Sequence, residues 1–134
     1  MPANAISLPD GRQEGLKMRK QILVCDDEEG IRESLKLILE KEYDVIFAEN
    51  GDEAVQKMKT SPTDLVILDI KMPRKDGLET LKRLKKINPS CKVIIATGYR
   101  SVDTAQEASR LGASDYILKP FDRAKILETV QKYT

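Results

Sequence analysis

The chain has 134 residues, a length that fits a single domain with enough core to carry helices on both faces of a sheet. Charged residues make up 34%, but 23 basic against 22 acidic side chains leave a net charge of +1, so no long-range field draws the chain to nucleic acid or to an anionic membrane. Apolar stretches are no longer than one strand, and the first residues lack a charged start followed by an apolar core, so a cytoplasmic protein with no membrane contact is expected.

Residues 1–19 scatter Pro2, Pro9, Gly11 and Gly15 among polar side chains with no period, and are expected to form a disordered tail ahead of a domain at 20–134. The first strand is predicted at 22–25, followed by a helix with Ile31, Leu35, Ile38 and Leu39 on one face. A strand at 43–48 leads to a short helix carrying Ala54, Val55 and Met58, closed by Ser61-Pro62. Residues 65–68 are apolar throughout, as a central parallel strand covered on both faces must be. Leu78, Leu81, Leu84 and Ile87 then mark a helix stopped by Asn88-Pro89, and a strand follows at 93–96. The fourth helix, through Val102, Ala105, Ala108 and Leu111, is rich in small residues and is ended by Gly112. A fifth strand at 116–118 precedes a helix capped by Asp122, with Ile126, Val130 and Tyr133 as its apolar stripe. Right-handed crossovers turn these five strand-helix repeats into an α/β fold, a doubly wound five-stranded parallel sheet. Cys25 and Cys91 fall at opposite ends of strands separated by an intervening one, too far apart for a disulfide, and read as buried or half-buried free thiols in preference to a redox pair.

Chemistry gathers where these strands end. The pair Asp26-Asp27, then Asp69, Thr97 and Lys119, each follow a short β-branched or aliphatic run. In a parallel sheet such positions line one edge, where folds of this kind bind ligands. Three carboxylates crowded there repel one another, and a divalent cation relieves the repulsion while leaving an oxygen to react. The constellation asks for magnesium and a phosphoryl group.

Four motifs in order carry a family resemblance: Val24-Cys25-Asp26-Asp27; Leu68-Asp69-Ile70-Lys71-Met72-Pro73 with Asp76-Gly77 after it; Ala96-Thr97-Gly98; and Tyr116-Ile117-Leu118-Lys119-Pro120-Phe121. Residues 21–132 resemble a receiver domain of two-component response regulators. The resemblance implies a flavodoxin-like sheet of order 2-1-3-4-5, and Asp69 as acceptor of a phosphoryl group from a histidine kinase or phosphotransfer protein. It implies Mg2+, with Mn2+ as the alternative, held by Asp26, Asp27, Asp69 and the Lys71 carbonyl. Lys119 and Thr97 would contact phosphoryl oxygens, and a cis Lys119-Pro120 bond would aim the ammonium inward. Tyr116 would rotate inward as Thr97 shifts, carrying the signal to the face of the fourth helix, fifth strand and fifth helix, where a downstream partner or dimer contact is expected. Lys71 and Tyr99 occupy variable family positions flanking the phosphoryl pocket. Both are large here, like the pair in a single-domain member serving a sporulation phosphorelay, which implies a long-lived phosphorylated form. Gly98 stands where alanine is usual.

Each assignment has a plainer competitor. Asp26 and Asp27 could serve only a helix N-terminus, Asp69 and Thr97 could be turn residues, Lys119 a solvated lysine, and Tyr116 a half-buried strand aromatic. Lys71, Arg74, Lys75, Lys82, Arg83, Lys85 and Lys86 form a basic cluster, but without interleaved aromatics it reads as a solvated helix face and not as a nucleic-acid site. The functional rival is a magnesium-dependent phosphohydrolase working through an aspartyl-phosphate. Against it stand a contiguous acid pair instead of Asp-x-Asp, the lack of a lid or substrate domain, and a sequence with no histidine for acid-base work. The chain is therefore expected to catalyse only its own phosphorylation and dephosphorylation, as a stand-alone relay protein or the receiver of a longer regulator.

Overall fold

A computed structural model describes residues 19–70 and 75–134. Five strands, β1 (Gln21–Cys25), β2 (Asp44–Ala48), β3 (Leu65–Leu68), β4 (Lys92–Thr97) and β5 (Asp115–Leu118), alternate with five helices, α1 (Glu29–Leu39), α2 (Gly51–Thr60), α3 (Lys75–Ile87), α4 (Val102–Arg110) and α5 (Arg123–Tyr133). All pairings are parallel, in the order β2-β1-β3-β4-β5. The doubly wound sheet of order 2-1-3-4-5 is thus the observed fold.

Alternation along the strands divides the core into two layers. Leu23, Cys25, Val66, Leu68, Val93 and Ile95 face α2 and α3, meeting Ala54, Val55, Met58, Leu81 and Leu84. Ile22, Val24, Leu65, Ile67, Ile94 and Ala96 face the other way, onto Leu35 and Leu39 of α1 and Ile126 and Val130 of α5. β3 is buried at all four positions because helices cover both its faces, which is why its sequence shows no polar alternation.

Local signals end the helices where the chain must turn. Asn50, Ser101 and Asp122 accept from the backbone N–H three residues on, capping α2, α4 and α5. Gly112 follows α4 at φ +104°, a conformation that disfavours any residue with a Cβ. Cys25 and Cys91 are both buried and no disulfide joins them.

Three expectations need correction. Val102, expected on the apolar stripe of the fourth helix, is 73% exposed: it is the first residue of α4, whose buried position is Ala108, nearly two turns further on. Tyr43 precedes β2 instead of starting it, and its buried ring sends a hydroxyl to Thr134 Oγ1 at 3.1 Å. Arg19, assigned to the tail, is tied to the domain, donating to the carbonyls of Glu40 and Tyr43 beside α1 and β2. Residues 1–18, and with them the rest of the expected tail, lie outside the described residues.

Candidate functional site

Strand register brings the predicted residues together. Cys25 pairs with Leu68 and Leu68 with Ile95, so Asp26 and Asp69 leave adjacent central strands at the same level. The ladder runs on past the strands, with Asp26 N donating to Ala48 O, Asp69 N to Cys25 O, and Lys119 N to Thr97 O. Thr97 is the last residue of β4, one position later than its strand was expected to end, and sits opposite Leu118. These backbone bonds fix where the side chains start.

Carboxylate oxygens of Asp26, Asp27 and Asp69 lie within 4.8 Å of one another. The side chains of Asp26 and Asp69 are buried while Asp27 is exposed, so the cluster opens to solvent on one side. Three hard oxygen donors at this spacing suit a small divalent cation that keeps part of its water shell. The opposing charge comes from Lys119, whose Nζ lies 2.8 Å from Asp26 Oδ2, 3.1 Å from Asp69 Oδ2 and 3.2 Å from Glu28 Oε1. Burial alone would lower the Lys119 pKa, but the hydrogen bonds and charges of Asp26 and Asp69 outweigh it and hold the ammonium above its ordinary value. Burial raises the Asp26 pKa; the bonds from Lys119 and from the Glu28 N–H pull it back without cancelling the rise, and the Asp69 charge adds to it.

A cavity of about 320 Å³ opens on this cluster, lined by Asp27, Glu28, Asp69, Thr97, Gly98, Tyr99 and Lys119. Thr97 is buried and its hydroxyl accepts from Tyr99 N at 3.3 Å. Gly98 is exposed, and a Cβ built there meets nothing within 4 Å, so packing does not require glycine. The Lys119-Pro120 bond is cis, as expected. Gly77, by contrast, must be glycine: a Cβ would lie 2.5 Å from Ile70 Cα and 2.6 Å from its carbonyl oxygen. That contact accounts for the glycine of the Asp76-Gly77 motif.

Asp26, Asp27, Asp69, Thr97, Tyr99 and Lys119 are therefore brought to one site. Tyr116 stands beside it, half-buried, its hydroxyl bonded to the Tyr99 carbonyl at 2.8 Å. Burial, then the neighbouring Tyr99 and the Asp69 charge, raise its pKa and keep the phenol protonated. Lys71 lies outside the described residues, as does Arg74 of the basic cluster. Sequence reasoning missed Glu28: it follows the acid pair, but nothing local shows that it turns back towards a lysine 91 residues away.

The family profile of the response regulator receiver domain matches residues 22–131, nearly the whole described chain. The chain belongs to the response regulator receiver family. It is 43% identical over 117 residues to sporulation initiation phosphotransferase F of Bacillus subtilis, covering 87% of this chain and 94% of that protein. It is 45% identical over 112 residues to the transcriptional regulatory protein ZraR of Klebsiella oxytoca, but spans only 25% of that longer protein. A CheY-like receiver from Methanospirillum hungatei superposes with a TM-score of 0.81 at 34% identity, covering 86% of this chain and 93% of that one. This receiver domain is a phosphorylation-based switch of two-component signalling. Among the described residues no helix is long and apolar enough to cross a membrane.

Proposed function

We propose that Asp69 accepts a phosphoryl group from a phosphohistidine of a kinase or phosphotransfer protein, with Mg2+ held by Asp26, Asp27 and Asp69. The observation that carries this reading is the convergence of those three carboxylates within 4.8 Å, with the Lys119 ammonium 3.1 Å from Asp69. An Asp69 oxygen attacks phosphorus and forms a new P–O bond, giving an acyl phosphate. The P–N bond to the donor imidazole breaks and its electron pair stays on that nitrogen; because the other ring nitrogen already carries a proton, the ring leaves as neutral imidazole. Bound Mg2+ supplies charge neutralisation for the phosphoryl oxygens, the main obstacle when an anionic nucleophile meets an anionic donor. Lys119 pairs with one phosphoryl oxygen and the Thr97 hydroxyl donates to another.

The resemblance adds the Lys71 carbonyl as a metal ligand. A Thr97 hydroxyl drawn to the phosphoryl group would give up the Tyr99 N–H it now accepts from, so Tyr99, which Tyr116 also grips, would pass the change to the α4-β5-α5 face. A partner or second copy reading that face would sense the phosphorylated state. The chain acts in the cytoplasm as a switch and turns over no separate substrate.

Incubation with acetyl phosphate and Mg2+ followed by intact-protein mass spectrometry tests the reading. One phosphate per chain is expected, lost in Asp69→Ala and prevented by a chelator that leaves the fold intact. Undiminished phosphate on the Asp69→Ala chain would sink the assignment.

A further inference from the structure

Glu28 begins α1 as its N-cap, yet its side chain makes no capping hydrogen bond. Its carboxylate instead reaches Lys119 Nζ at 3.2 Å, at the rim of the cavity that opens on Asp69. A lysine ammonium has three N–H donors, and here three carboxylates, those of Asp26, Asp69 and Glu28, stand within hydrogen-bond distance of it. An arriving phosphoryl oxygen must therefore displace one of them. The side chains of Asp26 and Asp69 are 4% and 6% exposed and lose solvation that only a cation repays, whereas Glu28 is 62% exposed and can swing into water at little cost.

We propose that Glu28 is a gate on phosphoryl entry: a positioning residue that occupies Lys119 in the resting chain and must release it, and whose charge opposes anionic donors at the mouth of the site. The inference rests on Asp69 as the phosphoryl acceptor. Neutralising the gate without changing its shape weakens the hold on one Lys119 donor, since an amide oxygen accepts less strongly than a carboxylate, and removes a negative charge from the path of entry.

The test follows phosphate uptake from acetyl phosphate with Mg2+ by intact-protein mass spectrometry, in the parent chain, Glu28→Gln and Glu29→Gln. Glu29 is likewise an exposed neighbour, with no bond to Lys119 among the described contacts, so it reports any general field effect. Glu28→Gln should take up phosphate roughly two- to fivefold faster at low salt, the range set by an exposed ion pair. The gain should shrink at about 1 M salt, where the Debye length is about 3 Å. Glu28→Gln should also bind beryllofluoride, which occupies the phosphoryl position without chemistry, more tightly by a similar factor. A Glu28→Gln chain no faster than the parent, or a Glu29→Gln chain that gains equally, would overturn the gate while leaving Asp69 as acceptor. A parent chain that gains no phosphate would overturn both.

Discussion

The Tyr116 hydroxyl donates to the backbone carbonyl of Tyr99 at 2.8 Å, while the Thr97 hydroxyl accepts from the Tyr99 N–H. One residue of the loop leaving β4 is thus held from both sides, by the strand it leaves and by the edge strand β5. Tyr116→Phe removes one hold and keeps the ring that packs on the core. A loss of about 0.5–1 kcal/mol is expected, since the bond is partly solvent-exposed, and it should appear in denaturant midpoints. The Tyr99 carbonyl carbon should move in the NMR spectrum of the variant. If neither changes, the bond does not hold the loop.

Tyr99 also lines the cavity beside Asp69, through which water would have to reach a phosphoryl group on that proposed acceptor. Its half-buried ring crowds that approach, so Tyr99→Ala should shorten the lifetime of the phosphorylated chain a few-fold, a change in barrier on the order of 1 kcal/mol or less. The decay of phosphate by mass spectrometry after removal of the donor measures it. Equal lifetimes would show that this position leaves hydrolysis unaffected.

Gly77 presses against the backbone of Ile70, the residue after Asp69. Backbone cannot rotate aside as a flexible side chain can, so Gly77→Ala should cost about 1–3 kcal/mol and lower the melting temperature by several degrees. Because the displaced atoms adjoin Asp69, phosphate uptake should fall as well. A variant as stable as the parent would mean that the approach is looser than 2.5 Å.

Burial pushes the Cys91 thiol from 9.0 up to about 11, the nearby Lys85 opposing the rise and Asp64 adding to it. Between those values the unfolded chain releases the proton while the folded chain keeps it, so the unfolded state binds fewer protons and stability falls as pH rises from 9 to 11. Below 9 the thiol is protonated in both states and adds no pH dependence. Urea midpoints measured from about pH 8 to about pH 11 should drop more steeply for the parent than for Cys91→Ala, which keeps every other alkaline titration. Parallel slopes would contradict the shift.

What the sequence determined by itself was whatever one segment specifies alone. A run such as 65–68, short, apolar at every position and bounded by turn residues, reads as a strand covered on both sides, and the residue after it then emerges at the sheet edge. That logic located Asp26, Asp27, Asp69 and Lys119, and right-handed crossovers supplied the doubly wound topology. Capping by Asp122 and termination at Gly112 were equally local, since an Asp side chain and a residue without a Cβ act within a turn of where they stand. Only the tertiary structure decided which side chains meet across long separations. Lys119 could have bonded any of several acids, and the register of β1, β3, β4 and β5 settles that it takes Asp26, Asp69 and Glu28 together. The exposure of Val102 and the grip of Tyr116 on Tyr99 depend likewise on where an element lies against its neighbours, which no single segment encodes.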